Sequence, residues 1–98
     1  MPLIDRRHTR RIKLRQPIKV RPASLKDGEF EDISETENTS KRGVYFLTQL
    51  RQYFVGMRIY VTLPYSSPPH PRSREYLGQI LRLDSIAGEK RGVAVQFL

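Results

Sequence analysis

Ninety-eight residues, 38% of them apolar and 29% charged, make one domain with a modest core and leave no room for a large enzyme cleft. No stretch approaches the roughly 18 apolar residues of a membrane span. No apolar leader-type segment follows Met1, and the lack of cysteine removes disulfides and thiolate metal sites, so a cytoplasmic chain is the expectation. The formal net charge of +8 is carried by residues 1–26, where nine basic side chains face Asp5 alone; residues 27–98 hold nine basic and nine acidic ones. A basic segment ahead of a neutral domain implies an anionic partner: a phosphate ligand, nucleic acid or lipid headgroups.

From residue 17 onward the periodicity is that of strands. Pro17–Ala23 alternates, with Ile18 and Val20 on one face and Lys19 and Arg21 on the other. Lys26-Asp27-Gly28-Glu29 predicts a turn, Asp-Gly being a hairpin signal. Phe30–Glu37 reads as a polar strand with Phe30 and Ile33 as its apolar points, and Asn38–Arg42 as a loop. Gly43–Thr48 is a run of strand formers. Residues 49–55 could form one helical turn. Met57–Pro64 alternates through Ile59, Val61 and Leu63. Residues 65–74 hold Pro68, Pro69 and Pro71, which cannot donate to a ladder and so lie outside the sheet. Glu75–Asp84, anchored by Leu77, Ile80 and Leu83, and Arg91–Leu98, after a turn at Gly88–Lys90, complete six strands. Six short antiparallel strands with one apolar face each are best satisfied by a small closed or nearly closed barrel. The expectation is an all-β, six-stranded antiparallel barrel over residues 17–98, preceded by a flexible basic arm over residues 1–16.

Two segments carry chemistry. The arm reads Asp5-Arg6-Arg7-His8-Thr9-Arg10-Arg11, with arginine alone before Lys13. A planar guanidinium binds phosphate or a guanine edge bidentately and stacks on a base, which an ammonium cannot do. A solvated tail that keeps a small protein soluble is the plainer alternative. The second segment, Asn38-Thr39-Ser40-Lys41-Arg42-Gly43, offers an amide that both donates and accepts, a hydroxyl, and a glycine that admits close backbone approach; its plainer reading is an ordinary turn.

Arg-x-x-x-Arg in an N-terminal arm, followed some thirty residues later by Asn-x-Ser-x-x-Gly, resembles the signature of PilZ domains, bacterial six-stranded split-barrel-type domains that bind cyclic di-GMP. The resemblance covers almost the whole chain. Arg11–Val20 is similar to the family's entry into its first strand, Gly43–Thr48 to the strand after the Ser-x-x-Gly loop, and Gly56–Pro64 and Gly92–Phe97 to later strands. It implies that Arg7 and Arg11 engage phosphate and guanine, and that Arg6 adds a further stacking or phosphate contact. It also implies that Asn38 bonds a guanine edge, that Ser40 holds the loop or a phosphate, and that Gly43 permits close approach. Arg6 and Arg10 have the same spacing one residue earlier, so the register stands open; the distance from Arg11 to Pro17 favours Arg7 and Arg11. Asp32-Ile33-Ser34 begins like a second copy of the loop motif, but Glu37 stands where its glycine belongs.

The resemblance implies a stand-alone, non-enzymatic receptor that needs no cofactor and passes its signal to an unidentified protein, with no membrane insertion. Two rivals remain: a basic barrel that binds RNA or single-stranded DNA, and a PilZ-fold interaction module that no longer binds nucleotide. His8 and His70 lack ligand-spaced partners, and no nucleophile–base set or metal site can be assembled from the sequence.

Overall fold

The computed structural model describes residues 15–98. Six strands run in the order β1 (Pro17–Pro22), β2 (Asp32–Thr39), β3 (Gly43–Thr48), β4 (Arg58–Leu63), β5 (Arg74–Ser85) and β6 (Arg91–Phe97). They close into an all-antiparallel barrel with neighbours β1-β2-β3-β6-β5-β4, β4 returning to β1. Closure satisfies every strand edge and follows from alternation: the inward positions of β1, β3, β4 and β6 are Ile18, Val20, Val44, Phe46, Ile59, Val61, Val93 and Val95, all buried.

The expected six strands and barrel are present; four local assignments change. The turn expected at residues 26–29 is present between β1 and β2, but as a 3-10 turn in a longer connection and not as a tight hairpin loop. Leu25–Asp27 is a short 3-10 turn whose first free amide, that of Lys26, is capped by the Ser24 hydroxyl at 3.2 Å. Gly28 ends it at φ +94°, a conformation glycine adopts without penalty. The chain then stays extended before pairing begins at Asp32 rather than Phe30.

β2 presents the opposite face from the one its apolar residues suggest. Ile33 is 61% exposed, while Asp32, Ser34 and Thr36 share the side of their inward-facing partners Val20, Ile18 and Phe46. Hydrogen bonds make a polar inward face tenable. Ser34 Oγ donates to the Leu47 carbonyl at 2.6 Å, and Thr36 Oγ1 accepts from the Gln16 amide at 3.0 Å. Asp32 Oδ2 accepts from both Thr48 Oγ1 (2.6 Å) and Tyr53 Oη (2.8 Å). Asp32 and Ser34, the beginning of the rejected second motif, are thus internal ties. β2 also runs on through Asn38 and Thr39, which pair with Tyr45 and Val44, so only residues 40–42 form the loop.

Residues 49–55 form no helix. They cross one end of the barrel and insert Tyr53, 3% exposed, edge-on against Phe30 (5.4 Å between centroids) and Phe46 (5.8 Å). Three aromatic rings close that end of the core.

Candidate functional site

The loop motif sits between β2 and β3, and its geometry begins one residue earlier. Thr36 pairs with Phe46, but Tyr45 pairs with Asn38, leaving Glu37 as an extra residue in a β-bulge. A bulge re-aims the residues that follow it. Here it brings Asn38, not Glu37, into register with Tyr45 on the outward side of β3.

Residues 40–43 form a tight turn. The Ser40 amide donates to the Gly43 carbonyl at 2.9 Å, and the Arg42 amide donates to Ser40 Oγ at 3.1 Å. The hydroxyl therefore accepts within the turn while its own proton remains able to donate outward. The Arg42 carbonyl accepts from the Phe97 amide at 2.6 Å, tying the loop to β6. Lys41 and Arg42 are exposed and give the loop positive charge. A Cβ on Gly43 would lie 1.9 Å from the Val95 carbonyl oxygen, so the missing side chain lets β6 run tight against β3.

Beside the loop, the outward face of β3, β6 and β5 carries a cluster that linear reading does not assemble. Tyr45 lies across Gly92, where a Cβ would fall 1.8 Å from the phenol oxygen. Its Oη donates to Asp84 Oδ2 at 2.8 Å, and Arg82 Nε donates to Asp84 Oδ1 at 3.0 Å. The Arg82 guanidinium stands 5.9 Å from the Tyr45 ring centroid. The bonds from Arg82 and Tyr45 hold the Asp84 carboxyl below the usual carboxylate value. Burial, then Asp84, pushes the Tyr45 phenol above its usual value. With Gly92 and Ala94 as small neighbours on β6, the face offers a low floor, an aromatic ring, an amide and an arginine side by side.

Of the residues singled out from sequence, Asn38, Ser40 and Gly43 come together at this edge. Arg6, Arg7 and Arg11 lie outside the described residues, as do Arg10 and His8. His70 serves its own loop, Nδ1 accepting from the Arg72 amide at 2.9 Å. Among the described residues no group of three or more His, Cys, Asp or Glu could hold a metal, and no helix is long and apolar enough to cross a membrane. The signal that would have found the cluster is the alternation of β3, which places Tyr45 opposite to Val44 and Phe46; its partners Arg82 and Asp84 are too distant in sequence to be read.

The number, order and closure of the strands define a PilZ-like barrel. The same fold occurs in the structure of Bacillus subtilis inhibitor of motility (MotI/DgrA), similar over 97% of this chain with a TM-score of 0.66 and 18% sequence identity. The match covers 43% of that chain, so the present protein spans less than half of its neighbour. No family model matches the chain, and no curated protein matches it.

Proposed function

We propose that this protein is a non-enzymatic receptor for cyclic di-GMP, which it grips between the arginine arm and the Asn38–Gly43 loop and reports to a partner protein through a rearrangement of the arm. The observation that carries the reading is the register of β1 against β2. Pro17 pairs with Glu35, Gln16 bonds Thr36 through both its amide and its carbonyl, and Arg15 Nη2 lies 3.7 Å from Glu37 Oε2. The chain ahead of β1 is thus delivered to Glu37, next to Asn38. Arg11 is four residues from Arg15 and Arg7 eight, about 13 Å and 26 Å of chain at roughly 3.3 Å per residue. That length of chain is enough for either to reach the loop.

The chemistry of the two halves is complementary. Cyclic di-GMP carries two phosphates and two guanines. Guanidinium groups of Arg6, Arg7 and Arg11 suit phosphate oxygens, guanine O6/N7 and the purine face. The Asn38 amide suits a guanine edge, and the Ser40 hydroxyl has a proton to give a phosphate. Glu35 and Glu37 on the outer side of β2 repel phosphate, whereas the Asp84 carboxylate on the other side is bonded by Arg82 and Tyr45, which favours the loop and the β3–β6 side of it. The structural neighbour is by name an inhibitor of motility, in keeping with a signalling role.

Calorimetric titration with cyclic di-GMP, with GTP and a random oligonucleotide as controls, tests the reading. Saturable heat for cyclic di-GMP alone, abolished by Arg11→Ala and weakened about tenfold or more by Asn38→Ala, is expected. Salt-sensitive binding of the oligonucleotide with no response to cyclic di-GMP would replace it with the nucleic-acid reading. Silence with all three would leave a barrel that works through protein contacts.

A further inference from the structure

The outer face of β2 holds a groove of about 580 Å³ between Arg15, Ile33, Glu35, Glu37, Leu47 and Leu50, with Lys90 also on its lining. Three features of it are unexplained by the barrel. Ile33 is 61% exposed although it stands mid-strand. Glu35, beside it, has no cationic partner among the described residues, whereas Glu31 and Glu37 are paired with Lys19 and Arg15. The groove also begins at Arg15, the first of the described residues, which lies 3.7 Å from the groove's own Glu37.

We propose that this groove is a docking seat for the protein's own residues 1–14, occupied when no anionic ligand is bound. The occupant is argued from charge, composition and tether. Residues 1–14 hold five basic side chains against Asp5, together with the large apolar Met1, Leu3, Ile4, Ile12 and Leu14; the groove offers Glu35, without a cationic partner among the described residues, and the exposed Ile33. The segment enters at Arg15, so its effective concentration at the groove is that of a short linker, in the millimolar range, and one guanidinium–carboxylate contact is already in place there. A segment that continued straight along β2 would run past Glu37 to Asn38, and one that turned back after Arg15 would meet Glu35 and Ile33. These are two mutually exclusive seats for one set of arginines. Resting on the cyclic di-GMP reading, a consequence follows: the ligand must draw the arm out of the groove, and its apparent affinity is lowered by the fraction of molecules with the arm seated.

The docking itself is tested without ligand. The chain lacks cysteine, so Thr9→Cys gives a single site for a nitroxide label, and amide signals report its neighbourhood. Selective loss of intensity at Ile33, Glu35, Leu47 and Leu50 at low ionic strength is expected, reversed by added salt and by Glu35→Gln/Glu37→Gln. Broadening spread evenly over the barrel overturns the proposal, as does broadening that survives both substitutions. A mixture of isotope-labelled protein without nitroxide and unlabelled protein with it separates the remaining occupant: broadening there assigns the groove to a second copy's arm and overturns docking within one chain. Cyclic di-GMP enters only as a second arm of the experiment. If the nitroxide contacts are present and the ligand leaves them unchanged, the cyclic di-GMP reading fails while the groove proposal stands.

Discussion

Gly43 shows how little a motif glycine need concern the ligand directly. Its Cβ position is filled by the backbone carbonyl of Val95, at 1.9 Å, and a backbone atom cannot swing aside as a side-chain tip can. Gly43→Ala must push β3 away from β6, next to the tie between the Arg42 carbonyl and the Phe97 amide. We expect a loss of about 1–3 kcal/mol or more, which for a domain of this size lowers the melting temperature by roughly 4–8 °C per kcal/mol. Thermal denaturation checks it, and a melting temperature within error of the parent would refute the packing role. Any loss of ligand binding in that variant therefore has to be read beside its stability. Tyr53 makes a second prediction. Burial first, and then the Asp32 carboxylate at 2.8 Å, push its phenol far above the ordinary 10.0. A raised value in the folded state means stability that is fully present below pH 10 and lost as pH climbs above it, because only the unfolded chain releases the proton there. Tyr53→Phe should cost about 1–2 kcal/mol at neutral pH through the lost hydrogen bond, yet its stability should fall less steeply on the alkaline side. Denaturant titrations on either side of pH 10 measure both effects; equal alkaline slopes would show that Tyr53 is not the group responsible.

At the scale of the strand, legibility follows the identity of the inward side chains. β1 and β4 alternate β-branched residues with mostly polar ones, and β3 and β6 are runs of strand formers with Val44, Phe46, Val93 and Val95 inward, so all four can be read from the sequence. β2 cannot be read so, because its inward positions are Asp32, Ser34 and Thr36, each satisfied by partners far along the chain. Periodicity registers hydropathy and is blind to a polar residue whose hydrogen bonds are made inside. The bulge at Glu37 is equally hidden, since an extra residue leaves no compositional mark; without it Asn38 would fall out of register with Tyr45. The loop residues, by contrast, are legible as a linear motif, while the neighbouring Tyr45–Asp84–Arg82 cluster exists only once β5 and β6 are folded. Thr36 links this strand to the arm. It is fully buried, and its hydroxyl accepts from the Gln16 amide where the chain enters β1. Thr36→Val keeps the volume but removes that acceptor, leaving the amide unsatisfied, so about 1–3 kcal/mol should be lost. The loss should be local: hydrogen exchange at Gln16 should quicken more than at Ile59 or Val93 on the far strands. Uniform acceleration over the whole barrel would mean that Thr36 supports the core and not the entry of the arm.

Over the whole molecule, the division of charge is the organising fact. Residues 27–98 are balanced, the excess lies in residues 1–26, and every buried core side chain among the described residues lies between Ile18 and Val95. On the proposed reading, ligand capture draws on the arm as well as on the barrel's Asn38–Gly43 loop, so the arm's share should separate from folding on mutation. Replacing Arg6, Arg7, Arg10 and Arg11 together by glutamine removes four positive charges while leaving each side chain long and polar. The melting temperature should stay within a few degrees of the parent, since every core side chain among the described residues lies in the barrel and none is changed. Binding of cyclic di-GMP should disappear. In the parent, raising the salt concentration should weaken binding, because phosphate–guanidinium contacts are screened over a Debye length of about 8 Å at physiological ionic strength. If the arm is seated in the groove as proposed, the same salt also loosens it there, which lowers the cost of recruiting it. The two effects oppose each other, so apparent affinity should fall less steeply with salt in the parent than in Glu35→Gln/Glu37→Gln, where only the ligand's contacts remain to be screened. Calorimetry across a salt series on both proteins measures the difference directly. Parallel slopes would mean that the groove holds nothing the ligand must displace; a steeper slope in the double variant, accompanied by loss of the nitroxide contacts at Ile33 and Leu50, would mean that one arginine arm is shared between two seats, since removing two carboxylates that repel phosphate steepens the slope on its own.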